Sequence, residues 1–406
     1  MMLGKESAKM IAIINATLYP ISGPIIPKGT ILIEGSKIKA VGSDIAIPVG
    51  AEIIDAAGKH IMPGIVEAHC HLSIMDFGDD DDNQALDSAP APMNPGFGPA
   101  VTPEMMAYYA FNPFHNDLYR SLTAGVTTIL TRTGSGKILT GQGIVAKTHG
   151  KSRKEMVLRN PAELKAALGE NPKRSFGSRR LMPSTRLGSA ALFRDAFIKG
   201  QAYLEKRAQN PLMPYNQQLE PIAMALRHEI PVCIHAHRAD DIMTALRMKD
   251  EFGFNCTIEH ASEAHLIAEE LRKRNVPAVL GPTQARTKLE TAGKDFVAAG
   301  ILERAGVTVC ITTDAGVVPI EHLRTSVSLS YRAGMSEAGA LKAMTLTAAE
   351  VIHVADRLGS LDAGKDADLA IFDGHPLELL SRVEQTYVNG ILAYDHLRDP
   401  EPWQKR

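Results

Sequence analysis

The stretch that decides the reading of this chain is Ile61-Met62-Pro63-Gly64-Ile65-Val66-Glu67-Ala68-His69-Cys70-His71. An apolar run ends on two imidazoles one residue apart. In an extended strand, residues i and i+2 project from the same face, so His69 and His71 aim at one point. A strand delivering both at its carboxyl end can hold a metal at the mouth of an α/β barrel, where all such ends converge. Alone, the pair reads equally well as two polar residues after a buried strand. Other ligands at other strand ends decide between the two.

Upstream, residues 10–60 read as short strands broken by turns. Met10 to Asn15 is apolar, and Pro24 and Pro27 interrupt before Ile31-Leu32-Ile33. Ile38 and Ala40 alternate with Lys37 and Lys39, which is half-buried β patterning. Met10 is a candidate for the original start behind a short added leader. Downstream of Ile61 the pattern changes to strand–helix alternation. Strands are predicted over 64–68, 125–131, 230–234, 255–259, 277–280 and 307–312, with helices over 239–252, 261–275 and 294–304. Such alternation over roughly 290 residues favours a (β/α)8 TIM-type barrel. The β signature returns near the end, where Asn389-Gly390 is a strong two-residue hairpin signal. The expected architecture is therefore α/β: a barrel over 61–356, and a small β-sandwich domain composed of 1–60 and 357–406. Long stretches at 73–116 and 171–221 do not fit a minimal barrel. The first carries Asp76 and Asp79 to Asp82, read as a solvated acidic loop, then a Pro-rich tract suited to cover a site. The second is polar and partly helical, over 190–207, and suits a lid or an oligomer contact.

The 406 residues include 44 Lys and Arg against 46 Asp and Glu, a net charge of −2. No basic stripe exists to suggest nucleic acid. No apolar run reaches membrane-spanning length, and no signal peptide is evident. The four cysteines, Cys70, Cys233, Cys256 and Cys310, form no CxxC. Three lie in apolar strand-like runs and read as small buried hydrophobes in a reducing compartment. A cytoplasmic enzyme acting on a small molecule is the expectation.

Four further features sit where a barrel metal site needs ligands. Val232-Cys233-Ile234-His235-Ala236-His237 is an apolar strand ending in histidine. Cys256-Thr257-Ile258-Glu259-His260 is another. Val309-Cys310-Ile311-Thr312-Thr313-Asp314 ends in aspartate, and Gly169-Glu170-Asn171-Pro172-Lys173 offers a carboxylate and an amine. Singly, each has a plain explanation as a loop residue or helix cap. Jointly, three apolar runs in the second half end in a metal-competent side chain, and the first barrel strand ends in two. Imidazole nitrogen with carboxylate oxygen suits zinc or a similar divalent ion.

Here the chain resembles the amidohydrolase superfamily. The order HxH, histidine at the fifth barrel strand, histidine at the sixth and aspartate at the eighth is similar to that family's ligand order. Met62 to His69 resembles its "PGxxDxHxH", with Glu67 where Asp is usual, a change expected to alter packing only. Gly359 to Leu369 resembles its closing "GxIxxGxxADL". His235-Ala236-His237 and Ile258-Glu259-His260 look closest to the branch with imidazolonepropionases and metal-dependent prolidases and carboxypeptidases. The resemblance implies a metal-dependent hydrolase of a C–N bond in a cyclic amide, an N-acyl amino acid or a dipeptide. The ion, zinc or a similar metal in one or two copies, would be held by His69, His71, His235, His260 and Asp314. That branch often bridges two metals with a carboxylated lysine in an apolar "IK" strand, and no clean equivalent stands here. Glu170 is the candidate ligand in its place, as a glutamate is in N-acetylglucosamine-6-phosphate deacetylases, with Lys147 and Lys173 as alternatives. A homo-oligomer is also implied.

Asp314 is the candidate catalytic residue, taking the proton from attacking water and passing it to the leaving nitrogen. His235 is preferred over His237 as the fifth-strand ligand, because the apolar run ends on it. His237 then becomes a substrate-binding candidate. Arg238 and Arg186 suit a substrate carboxylate. Gln142, flanked by Gly141 and Gly143, suits close backbone approach to a ligand. The alternative activities are a metal-dependent deaminase, for which the HxxE-type helix motif is missing, and a non-catalytic scaffold, which usually loses metal ligands.

Overall fold

The structure is a computed structural model that describes residues 10–74 and 99–399. The acidic run Asp79 to Asp82, most of the Pro-rich tract, and residues 1–9 and 400–406 lie outside the described residues. The described chain forms two eight-stranded sheets.

The first sheet takes strands from both ends of the chain: β1 (Met10–Leu18), β2 (Ile26–Glu34), β3 (Lys37–Gly42), β4 (Glu52–Asp55) and β5 (His60–Pro63). After the barrel strands below, β14 (Leu369–Phe372), β15 (Val383–Val388) and β16 (Ile391–Asp395) complete it, with β14 antiparallel to β5. Its own apolar core includes Ile13, Ile31, Ile33, Ile61, Leu369 and Tyr387. By hydrogen bonding the expected sandwich is one continuous sheet, in the order β16-β15-β14-β5-β1-β2-β3 with β4 on β1. The Asn389-Gly390 turn has φ of 52° and 73°, the left-handed pair that a tight hairpin demands.

The second sheet is the barrel. It runs β6 (Ile65–Cys70), β7 (Val126–Thr131), β8 (Leu139–Lys147), β9 (Val157–Ala167), β10 (Val232–Ala236), β11 (Cys256–His260), β12 (Ala278–Leu280) and β13 (Val309–Ile311), each paired with the next. Every residue of β6, β7, β10 and β11 is buried. This is why these strands read as near-continuous apolar runs. A parallel bridge between Cys70 and Ala315 brings the last strand back to the first. Glu67 reinforces that seam: its buried carboxylate accepts from His69 N, Thr313 N and Thr313 Oγ1 at 3.1, 3.0 and 2.7 Å. The glutamate at this position therefore does more than fill space.

One feature departs from the expected all-parallel barrel. β8 is antiparallel to both β7 and β9. Antiparallel neighbours need no helical crossover, so 132–156 makes two short returns, with one short helix at Arg153–Met156. The stretch 171–221 is mostly helix: Glu170–Gly177, Arg186–Gln209 and Glu220–Leu226. Phe193 and Phe197 of the long helix stack at 4.8 Å and pack on Phe254 and Phe252. This stretch is thus the β9–β10 crossover seated on the core, rather than an open loop. Among the described residues, no helix is long and apolar enough to cross a membrane.

Candidate metal centre

Ligand-bearing strand ends meet on the carboxyl face. Two buried groups, His235 with His237 and His260, and His69 with His260 and Asp314, each offer ligand atoms within 4.8 Å of one another. His71 joins through Asp314, whose Oδ1 lies 3.2 Å from His71 Nε2 and 3.4 Å from His69 Nε2. The backbone turns sharply at two of these residues: φ is 69° at His260 and 52° at Asp314. Such left-handed positions in non-glycine residues cost about 1–3 kcal/mol and gather at functional sites. Asp314 N donates to Thr312 Oγ1 at 2.8 Å, and Thr312 Oγ1 donates to His69 O at 2.7 Å, so the last strand end is tied to the first.

The ring orientations are set from behind. His69 Nδ1 donates to Glu259 Oε2 at 2.6 Å, His71 Nδ1 to Arg132 O at 2.6 Å, and His260 Nδ1 to Gly281 O at 2.8 Å. Each bond leaves Nε2 as the lone-pair atom, which is how proteins orient metal-binding imidazoles. Glu259 is itself held, by Arg132 Nη1 at 3.1 Å and Thr257 Oγ1 at 2.5 Å. Arg132 Nε lies 2.8 Å from Glu163 Oε1. These groups come from strands that are not neighbours, so they meet inside the barrel.

Electrostatics agree with the geometry. Burial first, then the Lys165 and Arg132 cations, bring the His69 imidazole down to about 4. Burial brings His260 down to about 3 against the pull of Asp314. Burial and neighbouring His260 push His235 and His237 well below the ordinary histidine range. Burial opposes ionisation of Asp314, but His260, His69 and His71 outweigh it and hold its carboxyl well below the usual value. Neutral imidazoles around an ionised carboxylate are the protonation states that metal ligands require. The decisive observation is what these atoms lack. His69 Nε2, His235 Nδ1, Asp314 Oδ1 and Lys165 Nζ are buried without a hydrogen-bond partner. Buried polar atoms are normally satisfied, so the unpartnered atoms of His69, His235 and Asp314 fit a bound cation, while Lys165 Nζ lacks an acceptor.

Lys165 is the residue that sequence reasoning missed. It lies on β9, is fully buried, and is brought down to about 8 by burial and by Arg132. The signal was Leu164-Lys165, hidden because Arg159-Asn160-Pro161-Ala162-Glu163 before it does not read as an apolar strand. Glu163, Arg132, Glu259 and Asn171 were also missed as site residues. Asn171 Nδ2 lies 3.2 Å from His235 Nε2, which leaves His235 Nδ1 for other use.

Other predicted positions lie elsewhere or are already engaged. Glu170 belongs to neither ligand group; it opens the helix after β9, and its backbone N donates to Glu290 Oε1 at 2.6 Å. Lys173 is half-buried on that helix. Lys147 is at the opposite face, because β8 runs backwards: its chain end is the barrel's amino-terminal side, where it pairs with Asp368 and Asp366 at 2.6 and 3.1 Å. Gln142 is buried, with its amide donating to Pro103 O at 2.9 Å. Arg186 is spent on Asp241, at 2.9 to 3.1 Å. Arg238 is exposed and faces Asp240 at 2.9 Å. His237 is at the cluster, its ring stacked on His260 at 5.0 Å and its Nδ1 2.8 Å from Ser262 Oγ.

Comparison with known proteins agrees with this geometry. Residues 192–393 match the profile of the Amidohydrolase family. The crystal structure of an amidohydrolase from Thermotoga maritima MSB8 is 36% identical, covers 95% of this chain and 100% of that one, and superposes with a TM-score of 0.89. An imidazolonepropionase of Brevibacillus brevis is 28% identical over 388 residues, 86% of this chain and 84% of that protein. The amidohydrolase tasK of Hapsidospora irregularis is 25% identical over 410 residues; this chain spans 90% of its own length there but only 40% of that protein's.

Proposed function

The chain belongs to the amidohydrolase family, and on that premise we propose that it is a metal-dependent hydrolase of a C–N bond in a small amide, cyclic amide or dipeptide. The observation that carries this reading is the convergence of unpartnered buried ligand atoms at His69, His235 and Asp314. His69, His71, His235, His260 and Asp314 would hold the ion, zinc or a similar divalent metal. A second ion would draw on Lys165, the lysine in the strand position that the prolidase-like branch carboxylates, in preference to Glu170, Lys147 or Lys173. The imidazolonepropionase relative supports a cyclic amide among the candidate substrates.

A divalent ion in this ligand set supplies Lewis acidity, which makes water a nucleophile near pH ~7 and polarises a carbonyl. The chain's own groups do the rest. Asp314 is the most exposed carboxylate of the cluster, its side chain 12% accessible, and it faces both HxH imidazoles. It takes a proton from attacking water at Oδ1 and returns it to the leaving nitrogen. His237, held at Nδ1 by Ser262, offers Nε2 to the substrate. Glu259 and Arg132 keep His69 from rotating.

The test is a panel of N-acyl amino acids, dipeptides, hydantoins, lactams and aminopurines, assayed with zinc, with manganese and without metal. Turnover of an amide that depends on metal and fails in His69→Asn supports the reading. Purified protein without stoichiometric divalent metal, and His69→Asn without effect on metal content, would sink it. Release of ammonia from aminopurines alone would move the assignment to a deaminase.

A further inference from the structure

The imidazoles assigned to the metal divide three to one. His69, His71 and His260 are each held at Nδ1, by the Glu259 carboxylate, the Arg132 carbonyl and the Gly281 carbonyl. All three partners are oxygens that only accept, so the ring proton sits on Nδ1 and Nε2 is left as the lone pair. His235 is reversed. Its Nε2 is the engaged atom, 3.2 Å from Asn171 Nδ2, and its Nδ1 is buried with no hydrogen-bond partner. Its partner is also of another kind: a carboxamide, which donates from one end and accepts at the other.

Asn171 is itself firmly placed. It lies in the first turn of the helix Glu170–Gly177, just after β9, and is buried. Ala167 of β9 pairs in register with His235, and Leu168 N donates to His235 O at 2.9 Å, so the turn that carries Asn171 is tied to the backbone that carries the ring. Glu170 N donates to Glu290 Oε1 at 2.6 Å. Gly169, with φ of 81°, lies so close to the Glu290 carboxylate that a Cβ has no room. Among the described residues, the Asn171 side chain makes no hydrogen bond except the one to His235. Half a turn about its last torsion therefore exchanges Nδ2 and Oδ1 without breaking another bond. With Nδ2 towards the ring, Nε2 accepts and the proton sits on Nδ1, where it shuts out a cation. With Oδ1 towards the ring, Nε2 donates and Nδ1 carries the lone pair.

We infer that Asn171 is a positioning residue that sets the tautomer of His235: with the ion bound, its amide presents Oδ1 to Nε2–H and leaves the Nδ1 lone pair for the metal. One proton leaves Nδ1 and one is taken up at Nε2, so the ring stays neutral. This deepens the hydrolase reading and rests on it for the metal, but metal binding is measured apart from turnover. The other three histidines have their proton fixed by acceptors that cannot change role. His235 alone among them depends on which end of an amide faces it.

The experiment compares zinc affinity, by chelator competition, in wild type, Asn171→Asp and Asn171→Leu. It also reads the His235 ring of the zinc-loaded wild type by ring-nitrogen NMR, with its signals assigned through His235→Gln. Aspartate keeps the shape of asparagine and only accepts, whereas leucine keeps the size and does neither. Asn171→Leu should weaken zinc binding about 10–100-fold, the usual worth of a residue that orients a ligand from behind. Asn171→Asp should bind zinc as tightly as wild type or more tightly, and the loaded ring should carry its proton on Nε2. Wild-type affinity in Asn171→Leu overturns the proposal. So does a loss in Asn171→Asp equal to that in Asn171→Leu, which would make the amide a donor, and so does a ring proton on Nδ1 in the loaded protein. The ring signal is read in wild type, so it does not depend on the folding of a variant. Zinc bound with the expected order of variants, but with no amide turned over, would break the hydrolase reading and leave the role of Asn171 standing.

Discussion

Two clusters of buried charge occupy opposite ends of the barrel, and they differ in one respect. At the amino-terminal end, Lys147 pairs with Asp368 and Asp366, while Lys37 and Arg357 also reach Asp366, at 2.6 and 2.8 Å. Asp368 accepts in addition from Asn389 N, the hairpin turn, at 2.8 Å. Every charge there has a partner. At the carboxyl end, His69, His235, Asp314 and Lys165 each keep a buried atom with none. Burial alone does not mark a functional site. A satisfied cluster binds the β-domain to the barrel, whereas an unsatisfied one of similar depth is built around something it can bind. The Ala367-Asp368-Leu369 stretch belongs to the first kind: its carboxylate joins the two sheets through Lys147 and Asn389 N.

The comparison breaks most sharply at Asp314. Asp314→Asn should lower kcat/KM on whichever amide proves to be a substrate by about 10²–10⁴-fold, the usual worth of a positioned acid–base group. The chemical-denaturation midpoint should move little by comparison. Intact turnover would refute the proton-moving role. Lys147→Met should do the reverse. It leaves Asp366 and Asp368 without their buried cation, a loss of about 3–5 kcal/mol by analogy with broken buried pairs. Urea unfolding reads that loss, and zinc stoichiometry of the folded variant should be unchanged. Loss of zinc without loss of stability would return Lys147 to the metal site. Glu259→Gln tests the support behind His69. The isosteric amide keeps volume but gives up the charge that fixes the ring, and zinc affinity measured by chelator competition should weaken about 10–100-fold. Unchanged affinity would mean that the ring is held without the Glu259 charge. Arg186→Gln is the mild case. Its side chain is 37% exposed and its partner Asp241 lies outside both ligand groups. The guanidinium is partly solvated but Asp241 is buried, so stability should fall by about 1–3 kcal/mol, less than at Lys147, while zinc affinity stays near wild type.

How much of this was legible in the sequence depends on strand direction. His69, His71, His235, His260 and Asp314 could be read because each ends a short apolar run, and parallel strands put all such ends on one face. The same rule misplaced Lys147, since it ends an apolar run whose strand is reversed. Nothing in Gly143-Ile144-Val145-Ala146-Lys147 encodes direction; that is set by the short connections on either side, which no periodicity reports. Lys165 failed for the opposite reason. Its strand carries Glu163 and Lys165, charges that face Arg132 inside the barrel, and Arg159, which donates to His353 O, so the run did not look buried. Polar residues that satisfy each other in an interior are invisible to an apolar-run criterion. Gln142 and Arg186 carry chemistry suited to a ligand, but the fold commits it to Pro103 and Asp241.

The smallest expected effect concerns acid, and it separates the two clusters again. Burial opposes ionisation of Asp366, but Lys147, Lys37 and Arg357 outweigh it and hold its carboxyl below the ordinary 3.8. A carboxyl whose folded value lies below its unfolded value takes up its proton first in the unfolded chain as pH falls. Its contribution to stability is therefore complete above about 3.8 and is lost as pH falls through the lower folded value. Urea unfolding between pH 6 and pH 3, values of about the range over which carboxylates titrate, should show wild type and Asp366→Asn converging toward the acid end. The difference between the two curves isolates this group from the other carboxylates. The sign is what matters: a gap that widens on acidification would mean that Asp366 is protonated more readily in the fold than out of it. The three cations around it would then not be the counter-charges that their distances make them.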